Sequence, residues 1–276
     1  MKYNILHRTR YIYSTPVRDS FNDVRLEPFS CSEQTVESFL LRVLPATRVS
    51  RYPDFYSNWV HHFEVPEAHL FLLVESQSCV ETHSLTPLAE DARPCPLEKL
   101  GEARDIEHCH DFLQSTRFVE IDVEPWRLAV DATIGLADAW QAALALMRFV
   151  HGFLKYEPHS THVHTHMRDV IAQKSGVCQD YAHLMIGLCR SLNIPARYVS
   201  GYLATETASA THAWVEVFIP GIGWRALDPT HNCQTGEAYV KIAIGRDYAD
   251  VPPVAGNYRG TLNRKMEVRV KITSVK

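Results

Sequence analysis

From Tyr181 to Leu192, apolar or small side chains return at three- and four-residue steps: Tyr181, Leu184, Met185, Leu188, Cys189 and Leu192. That period belongs to an amphipathic helix with one buried face, so this part of the chain must pack a helix against another layer. Asp180 falls in the first turn and Arg190 in the last, both matching the helix dipole, and Asn193 followed by Pro195 ends the run. Ser175-Gly176-Val177-Cys178 stands immediately ahead. Gly176 allows a close backbone approach, and Cys178 lands at or near the helix N-terminus, where unpaired N–H groups and the positive dipole end favour an anion. The thiolate is the nucleophilic form of cysteine, so this setting suits a reactive thiol. The other six cysteines (Cys31, Cys79, Cys95, Cys109, Cys189 and Cys233) lack it and read mostly as small buried hydrophobes.

Two further side chains have local settings that fit such a thiol. His212 to Phe218 reads His-Ala-Trp-Val-Glu-Val-Phe, a strand pattern with His212 at its mouth. Pro220-Gly221-Ile222-Gly223 is a turn cluster, and Trp224 to Leu227 is a second short strand that ends at Asp228. A hairpin of these strands brings its outer ends together, and therefore His212 beside Asp228. The carboxylate can hold one imidazole nitrogen while the other faces Cys178, which is the arrangement nucleophilic catalysis by a thiol needs. Any one of these residues alone would read as structural; the three together point to a catalytic constellation.

At this point the chain resembles a known family. Gly-Val-Cys-Gln-Asp-Tyr-Ala-His, Leu-Asn-Ile-Pro-Ala-Arg-Tyr-Val-Ser-Gly-Tyr, His-Ala-Trp-Val-Glu-Val-Phe and Trp-Arg-Ala-Leu-Asp-Pro-Thr are similar to the bacterial branch of the transglutaminase-like superfamily. The resemblance implies an α+β chain. A papain-like core, with the nucleophile helix packed on an antiparallel sheet, would follow a small all-β domain. It also implies Cys178, His212 and Asp228 as the triad. Gly245-Arg246-Asp247-Tyr248-Ala249-Asp250-Val251-Pro252-Pro253 resembles the family's C-terminal signature, and Phe112-Leu113-Gln114-Ser115 its linker. One departure is Ser57, where the pattern expects glycine before Asn58; only a turn depends on it.

The rest of the chain is organised to match. Residues 1–85 alternate in short runs punctuated by Pro, Asn and Asp, as a small β-sandwich-like domain would. Residues 86–135 are richer in Pro, Glu and Arg and read as a connecting segment with short helices; residues 136–276 hold the core, which opens with a helix from Ala137 to Leu154. Met266 to Ile272 alternates as a strand, and pairing with the N-terminal domain would cover an exposed edge. Of the 276 residues 46% are hydrophobic and 22% charged, enough for a proper core, and the formal charge of −4 offers no basic footprint for nucleic acid. No apolar span is long enough to cross a bilayer and no leader is visible; with seven cysteines in no paired spacing, the expectation is a cytoplasmic protein without a disulfide framework.

One competing constellation is His159, His162, His164 and His166. On a strand the alternate positions would face one way, and imidazoles so placed can bind zinc or copper. The absence of any Cys-x-x-Cys and the polar surroundings favour a solvated loop, so no metal and no cofactor is expected. For acyl transfer the backbone N–H of Cys178 is the first oxyanion donor, with Tyr156 and Gln173 as candidates for a second. Trp214 reads chiefly as packing, and Arg246 with Asp247 as either a supporting salt link or a surface turn. The expected substrate is a peptide, protein or other amide. The bet is that water resolves the thioester, because Thr205 to Thr211 reads as a polar, mobile loop at the rim of the cleft; an amine acceptor, or a non-enzymatic partner-binding module, are the alternatives.

Overall fold

The computed structural model describes residues 1–103, 109–204 and 209–275. The first strand, β1 (Lys2–Val24), turns every second side chain inward: Tyr3, Ile5, His7, Thr9, Tyr11 and Tyr13 are all buried. It is followed by β2 (Gln34–Leu44), β3 (Val49–Pro53), β4 (Trp59–Val65) and β5 (His69–Thr82). The connecting stretch holds the short α1 (Leu100–Ala103) and α2 (Val123–Ala132). Next comes α3 (Ala139–Phe153), capped by Asp138, whose carboxylate accepts from the N–H groups of Trp140 and Gln141. A two-strand parallel bridge, β6 (Lys155–Tyr156) and β7 (Ser175–Gly176), brackets α4 (Met167–Gln173) and leads straight into α5 (Cys178–Ser191).

A five-stranded antiparallel sheet follows, made of β8 (Ala196–Ala204), β9 (Ser209–Ile219), β10 (Gly223–Asp228), β11 (Cys233–Gln234) and β12 (Tyr239–Gly245) in the order β11-β10-β9-β8-β12. Ala213, Val215, Val217 and Ile219 alternate into the core that α3 and α5 complete, whereas Trp214 joins a separate small cluster with Val199 and Ile244. This is the helix-on-sheet layering that the period of α5 demanded.

The chain then returns to where it began. β13 (Val254–Arg259) and β14 (Arg264–Val275) both pair antiparallel with β1, completing a seven-stranded sheet. The first half of β1 lies between β5 and β14, and its second half between β4 and β13. The register breaks between Ile12 and Val17, and Asp19 takes a left-handed φ of 49° where the strand redirects. One core cluster runs from Tyr3, Ile5 and Val80 through α3 and α5, so the two sheets share buried surface.

Two amides tie the sheets at β12, an edge strand of the five-stranded sheet. Gln34 donates to Lys241 O (2.7 Å) and accepts from Lys241 N (2.8 Å). Asn58 does the same at Ile244, with 2.8 Å in each direction. Each satisfies a pair of backbone groups that an open edge would leave to other chains. The turn before Asn58 holds despite its serine: Ser57 sits at φ 64°, a left-handed position that favours glycine.

Candidate active site

Helix α5 starts at Cys178 itself, with Val177 extended as its N-cap. Valine has no side-chain acceptor, so the start is secured from the helix side. Asp180 bends back and accepts from Val177 N (2.7 Å) and from the Thr161 hydroxyl (2.6 Å). Burial pushes the Asp180 carboxyl up, against the pull of those two hydrogen bonds. Gly176 is required here, because a Cβ would meet the Asp180 side chain at 2.6–2.9 Å. The thiol of Cys178 is thereby held, half-buried, at the positive end of a fourteen-residue helix.

His212 and Asp228 come together as the hairpin required. His212 lies three residues inside β9, which begins at Ser209 rather than at His212, and β10 ends at Asp228. His212 Nε2 donates to Asp228 Oδ2 at 2.7 Å, which leaves Nδ1 for the thiol of Cys178, with which the ring also hydrogen-bonds. Asp228 is fully buried and heavily bonded. Its Oδ2 also accepts from His231 Nδ1 (2.7 Å) and the Tyr239 hydroxyl (2.8 Å), and Oδ1 from the N–H groups of Thr230 (2.8 Å) and His231 (3.2 Å). Burial would raise its pKa, but these partners, His212 first, hold it far below the ordinary carboxylate range. Burial likewise opposes charge on His212, which is 8% exposed; the hydrogen bonds to Asp228 and Cys178 and the charges of both outweigh it and push the imidazole up to about 9.

The opposite wall comes from the other sheet. His7, Thr9 and Tyr11 of β1, with Met266 and Val268 of β14, face the thiol across a cleft of about 270 Å³. His7 bonds Tyr202 Oη (2.9 Å) and Thr9 Oγ1 (3.1 Å), and burial pushes it down to about 4. On the side of the thiol, Val163, Val177 and Tyr198 are among the lining residues.

The remaining sequence candidates are dispersed. Gln173 is exposed and donates its amide to Ser175 O (3.0 Å), and neither it nor Tyr156 lines the cleft. Tyr156 lies against Tyr181, and burial with the nearby Cys178 pushes its phenol up. None of the four histidines lies on a strand: His159 and His164 are in turns, and His166 caps α4. His162 bonds Thr165, His166 packs edge-on against Phe118, and the four form no common ligand set among the described residues. Among the described residues the group that converges is His212, Asp228 and His231. Trp214 is buried and lies parallel to the His212 ring at 6.2 Å, in space that a side chain at Gly201 would fill. Arg246 pairs with Asp250 (2.9 Å), not with Asp247, which is buried and accepts from Phe118 N and Ala249 N. His231 and Tyr239 escaped the sequence reading; the only signal was a histidine three residues past Asp228, in a turn with no period. Residues 205–208, most of the polar rim segment, lie outside the described residues.

A family model, the transglutaminase-like superfamily, matches residues 127–229, and a second, the bacterial transglutaminase-like N-terminal region, matches residues 3–81. The chain belongs to the transglutaminase-like superfamily, in the form that carries this bacterial N-terminal region. It is 35% identical to an uncharacterised Mycobacterium leprae protein over 98% of this chain and 97% of that one. A Pseudomonas aeruginosa protein-glutamine gamma-glutamyltransferase is 35% identical over 32% of this chain and 15% of its own length. The crystal structure of a candidate cysteine protease from Cytophaga hutchinsonii superposes with a TM-score of 0.84 at 24% identity, covering all of this chain and 91% of that one, and shows the same fold.

Proposed function

We propose that the chain is a cysteine-dependent acyl-transfer enzyme that hydrolyses amide bonds of peptides or related amides through a thioester on Cys178. The observation that carries this reading is the continuous line of hydrogen bonds from Cys178 through His212 to Asp228, with the thiol at a helix N-terminus. His212 Nδ1 takes the thiol proton, and the thiolate forms a bond to the amide carbonyl carbon. The backbone N–H of Cys178, a first-turn amide, donates to the oxyanion. Collapse breaks the C–N bond as His212 passes its proton to the departing amine. Water, deprotonated by His212, then cleaves the thioester and releases the carboxylate product. Throughout, Asp228 keeps the imidazole oriented and balances its charge.

One observation favours transamidation as a second reading. Val163 and Val177 on one side and Met266 and Val268 on the other put apolar walls on both sides of the thiol, as an amine channel would need. Met266 and Val268 are nevertheless 56% and 46% exposed, which leaves the thiol within reach of water and supports hydrolysis as the first reading. Mass spectrometry of amide substrates incubated with and without a primary amine decides between them. Addition of water with the amine present is the expected product, preferential amine incorporation makes the enzyme a transglutaminase, and no acyl-enzyme on any substrate removes the proposal.

A further inference from the structure

The cleft does not end beside the thiol. A larger cavity of about 400 Å³ adjoins it and shares Tyr11, Val163, Tyr248, Val254 and Met266 with it, so the two form one groove running from Cys178 across the face of the N-terminal sheet. Together they are far larger than one side chain and fall in the range of ligand-binding pockets. The far part is built from aromatic rings. Tyr13 and Tyr258 meet edge to face at 4.9 Å, and Phe118 closes the opposite side.

The charges in this far part are one-sided. Arg117 and Arg264 line it together with His164, and none of its lining residues is Asp or Glu. Several other arginines of this acidic chain find carboxylates: Arg8 with Glu75, Arg25 with Asp54, Arg51 with Glu27, Arg197 with Glu216. Among the described residues Arg117 and Arg264 have no ion pair. Each rests on aromatic faces instead, Arg264 at 5.4 Å from the Tyr11 ring and 5.9 Å from Tyr258, Arg117 at 5.3 Å from Phe118. Such stacking leaves the guanidinium donors free and lowers the entropy cost of engaging an anion. A planar carboxylate matches that fork in two parallel hydrogen bonds. Burial pushes the Tyr13 and Tyr248 phenols up to about 12, so both remain protonated donors at neutral pH.

We propose that this aromatic, arginine-tipped end of the groove is a binding subsite for a carboxylate on the substrate peptide, placed a few residues from the amide that meets Cys178. The inference rests on the proposed acyl transfer for its substrate class, and it makes acidic or carboxyl-terminal peptides the preferred substrates. A free C-terminus and an acidic side chain offer the same chemistry to Arg117 and Arg264.

The test uses the full chain carrying Cys178→Ala, which binds without reacting. Fluorescein-labelled peptides with a glutamine core and an aromatic residue are made in four versions: free C-terminus, amidated C-terminus, and amidated with an internal Glu or an internal Gln. Anisotropy titration is expected to give an acidic version on the order of tenfold tighter binding than its neutral twin, in line with two partly exposed charge pairs. The comparison within each pair of twins tells a chain terminus from an acidic side chain. In Arg117→Met/Arg264→Met the preference collapses to within about twofold. The single variants carry the same reading if the double variant loses its cooperative thermal transition. Equal binding of acidic and neutral twins, a preference that survives loss of both arginines, or no binding of any version overturns the subsite. Failure of the acyl-transfer reading looks different: the charge preference persists while the intact thiol forms no thioester.

Discussion

Two histidines face the same cleft from opposite sheets, both buried, and they are in opposite electrical states. His7, on β1, bonds only hydroxyls, and burial drives it down to about 4. His212, on β9, bonds a buried carboxylate and a thiol and is driven up to about 9. Burial pushes both the same way. The partner decides the sign, because a hydroxyl offers nothing to offset the desolvation of a cation and a carboxylate does. One wall of the cleft thus carries a neutral imidazole, and the other an imidazole bonded to a buried carboxylate.

The sharpest way to break this division is at the thiol. Cys178→Ala should abolish turnover while far-UV circular dichroism and the melting transition stay put. Peptide mapping of the wild-type protein should find Cys178 alkylated by iodoacetamide before the other six cysteines. Retained activity, or another cysteine labelled first, would move the reactive wall elsewhere.

Next in size is the carboxylate. Asp228→Asn keeps a hydrogen-bonding side chain but removes the charge that separates His212 from His7. The corresponding change in a serine triad costs about 10⁴ in kcat; a thiol ionises more readily than a serine hydroxyl and leans less on the carboxylate, so the expected loss is smaller, on the order of 10²–10³. Steady-state rates close to wild type would show that another group orients His212.

The two imidazoles should also leave opposite marks on stability. Between pH 6.5 and about 9 the folded chain holds the His212 proton that the unfolded chain has released, so the contribution of His212 is complete below 6.5 and is lost as pH rises through 9. His7 works the other way: its contribution is complete above 6.5 and is lost as pH falls through about 4. Each slope is limited to about 1.4 kcal/mol per pH unit. Urea unfolding across this range should lose its alkaline slope in His212→Gln and part of its acid slope in His7→Gln. If one variant removed both slopes, the two rings would be coupled rather than independent.

The smallest expected effect is at His231. Its side chain is about half exposed and adds a second imidazole donor to Asp228 Oδ2. His231→Gln should lower kcat by a few-fold with little change in KM, since Asp228 keeps His212, Tyr239 and two backbone donors. A loss as large as that of Asp228→Asn would make His231 an equal member of the site.

The local parts of this site were readable in advance. The step of Leu184, Met185 and Leu188 placed a helix whose first residue is Cys178, and the turn at Pro220 to Gly223 closed the hairpin that joins His212 to Asp228. The helix read from Ala137 runs from Ala139, a difference of cap rather than of element. Partners set by the tertiary structure were not readable. Arg246 took Asp250, one helical turn away, instead of adjacent Asp247, which turned inward to Phe118 and Ala249. From His159 to His166 the sequence favoured a loop over a row of ligands on a strand, and the backbone there forms no strand.

Period, turn residues and helix signals act between neighbours in the chain, so sequence alone determined a thiol at a helix N-terminus and a histidine and an aspartate at the open end of a hairpin. Tertiary structure decided what surrounds them. Asp228 takes His231 and Tyr239 as further donors, the far wall of the cleft is made by β1 and β14 from the two ends of the chain, and Arg117 and Arg264 meet in one groove. Those arrangements depend on which surfaces the β1–β14 ladder and the shared core press together, and no pattern confined to one segment encodes them. The opposite pKa shifts of His7 and His212 follow from that packing, because a side chain's pKa is set by the groups brought against it.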